Sequence, residues 1–286
     1  MRYLLPLLLA LLTVSAGAAE YDLIIRNGTL YDGSGQPPVT GDVAVDGDTI
    51  VEVGDLGQRS GRREVNANGL AVAPGFINML SWANVALIED GRSQSDIRQG
   101  VTLEVMGEGF SMGPWNDSIK AETLEKQTDI RYAIEWTTLG EYLQYLEDRG
   151  VATNVASFVG NGTLRRHVIG YDNRPATAAE LEQMKSLLDE AMREGAMGVS
   201  SSLLYAPSMY ADTDELIELA RVAGRHGGMY VSHIRDEGDR LLESIDELIT
   251  IARTADVPAE VYHLKASGQS NWPKLEQAIA RIEQAR

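Results

Sequence analysis

From residue 72 onward the chain alternates short apolar runs with amphipathic helical stripes, and this rhythm restricts the fold more than any other feature. APGFIN (73–78), GVTLEVMGEG (100–109), VATNVASFVG (151–160), AMGVSSS (196–202), GMYVSHI (228–234) and AEVYHLK (259–265) read as strands. Between the later ones the helices are well marked. Thr177 and Glu180 form a capping-box pair ahead of Leu181, Met184, Leu187, Leu188 and Ala191, with Gly195 as the stop. Asp212 and Glu215 do the same ahead of Leu216, Leu219, Ala220 and Ala223, with Gly227-Gly228 as the stop. Strand, helix and a further strand about thirty residues on is the βαβ unit, and several in succession imply a parallel sheet. A doubly wound open sheet and a (β/α)8 barrel both fit. No G-x-G-x-x-G turn follows the first strand, which weighs against the dinucleotide-binding version of the open sheet. About six βα units run to Arg286, so a TIM-like barrel is read as incomplete.

The residues before this region follow two other patterns. Residues 1–19 carry Arg2, an apolar run from Leu4 to Val14 and the small-x-small Ala16-Gly17-Ala18, the form of a cleaved export signal. Residues 20–71 hold short β segments. Asn27-Gly28 and Asp46-Gly47 suit tight hairpin turns that need φ > 0. The expected organisation is therefore a signal over 1–19, a small β module over 20–71 and the βα region over 72–286. The protein is expected to be exported, periplasmic or secreted, with no membrane association after cleavage. The chain has no cysteine, which excludes disulfides and thiolate metal ligands. A net charge of −17 disfavours nucleic acid as a partner.

In a parallel α/β barrel the chemistry lies at the carboxyl ends of the strands. Alternation along VTLEVMGE sets Val101, Leu103 and Val105 on a helix-facing side and Thr102, Glu104, Met106 and Glu108 on the inner side. Met229, Val231 and His233 share a face of the next candidate strand, and Ala259, Val261, His263 and Lys265 share a face of the last. Glu108, His233 and His263 thus end three strands pointing the same way. Two imidazoles, one carboxylate and open positions for water make a common catalytic zinc set. Glu104, one layer deeper, competes with Glu108 and otherwise reads as a buried carboxylate paired with an inward base. His226, at a helix end, and His167, in LRRHV, read as structural.

The opening YDLIIRNGTLYDGSG with APGFI resembles the amidohydrolase superfamily. QGVTLEVMGEG, GTLRRHVIG, the run from LLYAPSMYA through SHIRDEGDRLLESIDE, and VYHLKASG resemble its N-acyl-D-amino-acid deacylase (D-aminoacylase) branch. The resemblance implies a TIM-like barrel of amidohydrolase type beside a small β-sandwich module, and zinc-dependent hydrolysis of an N-acyl amino acid, a small-molecule substrate. It matches His233 and His263 to the branch's histidine zinc ligands, and Lys265 and Tyr205 to residues that hold the substrate, through its carboxylate. The branch's cysteine ligand falls at or next to Gly109, with Glu108 the nearest replacement. The family's His-x-His at the first strand end is replaced by Leu80 and Trp82, read as an apolar plug, so a single Zn2+ is expected. The family's general-base aspartate is expected beyond Arg286. Two alternatives stand beside this reading: a non-catalytic relative, and an amidohydrolase acting on a cyclic amide or a peptide.

Overall fold

The computed structural model describes residues 20–286, so the export signal read over residues 1–19 lies outside the described residues. The chain divides into two compact units after Pro74. In the first, one mixed sheet holds β1 (Tyr21–Leu30), β2 (Val39–Asp46), β3 (Thr49–Gly54), β4 (Gly61–Asn66) and β5 (Ala71–Val72). Its order is β3-β2-β1-β4, with β5 also on β1. β2 runs antiparallel to β1 and β3, whereas β4 and β5 run parallel to β1. Ile24, Ala44 and Leu56 form its small core.

Among the described residues this unit is one mixed sheet, as the N-terminal part of a sandwich would be. One expectation changes here: Asn27-Gly28 makes no hairpin, because β1 runs straight through it as a bulge, with Asn27 at φ +55° and a register shift between Ile25 and Gly28. The Asn27 amide N–H donates to the Asp42 carboxylate at 2.8 Å, which anchors the bulge to β2. Asp46-Gly47 does close a hairpin, with Asp46 opposite Thr49 and Gly47 at φ +60°.

The second unit is an α/β fold in which every strand pairing is parallel. β6 (Phe76–Asn78), β7 (Val101–Met106) and β8 (Asn154–Ser157) form one ladder. β9 (Val159–Gly160), β10 (Gly198–Ser202), β11 (Met229–His233) and β12 (Ala259–Val261) form the next. β8 and β9 belong to one segment interrupted at Phe158. Neighbours follow chain order, as βαβ units require. Among the described residues the strands do not close into a barrel: β6 and β12 each pair on one side only.

Helices pack on one face through a large core that includes Met106, Tyr142, Met184, Leu188, Leu216, Leu219, Ile245 and Ile251. Val105, Phe158, Val231 and Tyr262 form a smaller cluster on the other face. This reverses the pleat read from the sequence for two strands. Along β7 it is Val105 that points to the inner cluster and Met106 that faces the helices. Glu104 shares the helix side and is fully buried. It accepts hydrogen bonds from the hydroxyls of Ser81 and Ser93, both at 2.6 Å, and Thr153 at 3.0 Å, and not from an inward base. Along β12, Ala259 and Val261 pack towards the helices, and it is Tyr262 that points inward.

The helix Ala178–Arg193 begins with the reciprocal capping box of Thr177 and Glu180. The helix Thr213–Arg225 has only half of one: Asp212 accepts from the Glu215 N–H at 2.8 Å, but the Glu215 side chain turns inward to Arg165. Arg165 is fully buried, and its guanidinium lies 2.5 Å from the Glu215 carboxylate. It also donates to the Arg174 carbonyl at 2.6 Å. Burial pushes the Glu215 carboxyl up, and the Arg165 charge offsets this only in part. Removing one partner strands a buried charge, so Glu215→Ala should cost about 3–5 kcal/mol in denaturant unfolding. Glu218→Ala, on the exposed side of the same helix, should cost about 0–1 kcal/mol. Equal costs for the two would remove the argument.

Candidate metal centre

The three site residues reach one place by different backbone routes. β11 runs to His233 itself, paired in register with Ser202 of β10. β7 stops at Met106, and Gly107 then adopts φ +97°, a conformation that suits glycine. A Cβ at Gly107 would lie 2.3 Å from the Phe158 carbonyl oxygen, so close approach requires glycine as well. This reversal breaks the alternation and turns Glu108 towards the histidines. β12 stops at Val261, and His263 lies just beyond in a turn at φ +35°. Left-handed backbone is uncommon for a residue with a Cβ, and such strain concentrates where the surrounding structure fixes it.

One ligand atom from each of Glu108, His233 and His263 falls within 4.8 Å of the others. The Glu108 Oε1 atom faces His233 Nδ1 at 3.0 Å and His263 Nε2 at 2.8 Å. The two imidazoles meet edge to face, 4.4 Å between centroids. Glu108 and His233 are buried, and His263 is partly exposed. Burial would push the Glu108 carboxyl up, but hydrogen bonds from His233 and His263 outweigh it and hold the group below its ordinary value. Among the described residues, Nε2 of His233 is buried without a hydrogen-bond partner. Two imidazoles and a carboxylate within reach of one ion, one of them with an orphaned ring nitrogen, fit a zinc ion by donor chemistry and spacing.

The remaining predicted positions surround this cluster. Lys265 Nζ lies 2.8 Å from His263 Nδ1 and donates to Glu237. The exposed Tyr205 ring stands edge-on to His233, 5.4 Å between centroids. With Trp82, Phe110, Ser202 and Leu204 these residues line a cleft of about 550 Å³, a size suited to a small molecule. Leu80 packs on the inner apolar cluster, but Trp82 is no mere plug. Its indole N–H donates to Glu108 Oε2 at 3.0 Å, so the first strand's end supplies a polar contact to the site. His226 ends the helix Thr213–Arg225 and meets Asp189 at 2.9 Å; His167 faces the Pro114 carbonyl. Both lie outside the cleft. Sequence reasoning missed Glu237, whose largely covered carboxylate approaches both histidines from the side away from Glu108. The one available signal was an acid four residues after His233, in HIRDE.

No family model matches the chain. It is 36% identical over 269 residues to the D-aminoacylase of Alcaligenes xylosoxydans xylosoxydans, a match that covers 93% of this chain and 55% of that protein. It is 36% identical over 208 residues to the N-acyl-D-aspartate deacylase of the same organism, covering 71% of this chain and 41% of the relative. Among solved structures, a D-aminoacylase studied for its binuclear metal centre superposes with a TM-score of 0.84 at 35% identity, over 93% of this chain and 56% of that one. The N-acyl-D-glutamate deacylase from Bordetella bronchiseptica, complexed with zinc and a phosphonate inhibitor, gives 0.82 at 31% identity with the same coverage. The chain thus spans about half the length of these relatives.

The reversal at Gly107 carries a test. Gly107→Ala places a side chain in a left-handed conformation against a backbone carbonyl, so it should lower stability by more than about 1 kcal/mol. Chain that still folds should take up less zinc than the parent because Glu108 is re-aimed. A variant with unchanged melting and unchanged zinc content would show that the backbone turn does not place the carboxylate.

Proposed function

We infer a function from the family: the chain belongs to the D-aminoacylase branch of the amidohydrolase superfamily, and we propose that it hydrolyses linear amide C–N bonds with zinc, releasing a D-amino acid from an N-acyl-D-amino acid. The observation that carries this reading is the convergence of Glu108, His233 and His263 on one point at the base of a cleft that Lys265 and Tyr205 also line. On this reading Glu108, His233 and His263 hold a single ion. Bound there, zinc would lower the pKa of a water towards neutrality and polarise the amide carbonyl. One ion suits Leu80 and Trp82, neither of which offers a usual zinc ligand. It also agrees with the D-aminoacylase relative, which is described in terms of one-metal activation and second-metal attenuation.

The chain's own groups account for the rest of the proposed recognition. Lys265 carries its ammonium at the half-open rim of the cleft, where it can meet a substrate carboxylate by charge-assisted hydrogen bonds. The Tyr205 phenol adds a donor on the same rim, and its ring walls the cleft beside His233. Trp82 and Leu204 offer apolar surface to an acyl group or side chain. The apolar run and small-x-small site within residues 1–19 support an exported protein. Among the described residues no helix is long and apolar enough to cross a membrane.

The same replacement at the first strand end favours a second reading, a relative that binds its ligand without hydrolysing it. Zinc content and amide hydrolysis by the purified protein separate the two. The protein should bind one zinc per chain and release amino acid from N-acyl-D-amino acids in preference to the L-isomers. His263→Ala should weaken zinc binding by more than the ~10–100-fold typical of losing an outer partner. Zinc bound without hydrolysis of any N-acyl-D-amino acid in a broad panel would support the binding-only reading, and absence of bound zinc after reconstitution would overturn the metal assignment.

A further inference from the structure

Each imidazole at the site has a carboxylate on both sides. Nδ1 of His233 and Nε2 of His263 face Glu108 Oε1. The opposite nitrogens face one oxygen of Glu237: His233 Nε2 lies 3.4 Å from Glu237 Oε1, and His263 Nδ1 lies 3.3 Å from the same atom. The Glu237 side chain is about nine-tenths buried, and Lys265 donates to that oxygen too. Both contacts are close enough for charge interaction and neither meets hydrogen-bond geometry; His263 Nδ1 has Lys265 beside it, which leaves His233 Nε2 the orphan of the site among the described residues.

Proton counting decides what Glu237 can do. A neutral imidazole carries one N–H, so a ring that offers one nitrogen to a cation must hold its proton on the other. Here His263 Nδ1 lies beside the Lys265 ammonium, which has only protons to give. That pairing suits a ring whose Nε2 carries the proton towards Glu108. Once Nε2 serves as a ligand the proton sits on Nδ1, and Lys265 can no longer donate to it. Glu237 is then the nearby acceptor. The buried His233 Nε2 has the same need and the same neighbour. We propose that Glu237 is the positioning residue that holds the outer N–H of both histidines, so that His233 Nδ1 and His263 Nε2 are the nitrogens presented on the Glu108 side. Metal-bound histidines nearly always have such an outer acceptor, and losing one typically costs about 10–100-fold in affinity. With one carboxylate serving two rings, a change at Glu237 disturbs both at once.

This inference rests on the zinc reading above, and its test keeps the two apart. Zinc affinity of the parent, Glu237→Ala and Glu237→Gln is measured by competition with a chromophoric chelator. Nitrogen-15 NMR of the histidine side chains, only four per chain, reports which ring nitrogen carries the proton. Glu237→Ala should weaken zinc binding about 10–100-fold, and Glu237→Gln, which keeps an acceptor oxygen, should recover part of that loss. The His233 and His263 signals should move, while those of His167 and His226 stay in place. Should Glu237→Ala fail to fold, the same comparison is made with Glu237→Gln, its fold checked by thermal melting. A parent that binds zinc, with variants that bind equally well and show unmoved signals, overturns the role of Glu237 alone. A parent that binds no zinc overturns the metal reading. The NMR comparison on the metal-free chain then decides whether Glu237 sets the protons of the two rings: moved His233 and His263 signals support it, and unmoved ones overturn it.

Discussion

A single backbone reversal determines what this cluster of side chains can be. At Gly107 the chain leaves β7 in a left-handed conformation, pressed against the carbonyl of Phe158 with no room for a Cβ. Strand alternation carried two residues further would have continued the pleat and left Glu108 on the side of Met106, among the helices. The turn brings the carboxylate to the other side of the sheet instead, where one of its oxygens meets two imidazoles and the other meets an indole N–H. Packing, hydrogen bonding and charge balance at the site all depend on that reorientation.

Buried charge is managed in two ways in the same unit. Glu215 and Arg165 form a tight pair inside the helix layer, where neither can be removed without stranding the other. Glu108 and Glu237 face a shared pair of rings, with Lys265 at the open edge. The first arrangement is closed, a direct ion pair whose acceptor and donor are both committed to the fold. The second places acidic oxygens around groups that can change their protons or take a ligand, which is how polar groups in a cleft differ from those in a core.

Much of the second unit was legible because helices and parallel strands write long-range periodicity into the chain. The stripe from Leu181 to Ala191, its capping box and the β11 tip at His233 all depend on local chemistry alone. What could not be read was which face of β7 and β12 turns inward. The polar side of β7, Thr102 and Glu104, pointed the wrong way because Glu104 is buried in the helix layer, where the hydroxyls of Ser81, Ser93 and Thr153 satisfy it. The alternation that points to Glu108 and His263 fails at both places; the residues meet His233 because Gly107 and His263 itself adopt positive φ. Asn27-Gly28 misled for a related reason. Left-handed residues suit hairpins, bulges and strand exits equally, and only the partner strand decides among them. Glu237 was missed because a loop acid has no periodic signature, and its spacing from His233 was the one trace it left.

The left-handed step after β7 and the one after β12 have a common consequence. Both joints rest on the inner layer beneath the cleft: the Phe158 carbonyl presses on Gly107, and Tyr262 immediately precedes His263 with its ring 6.2 Å from the imidazole. A close-packed interior transmits strain, so an exchange of size at Phe158 or Tyr262 is felt at the backbone that aims Glu108 and His263. The hydrocarbon floor of the cleft is thus part of the device that points its donors.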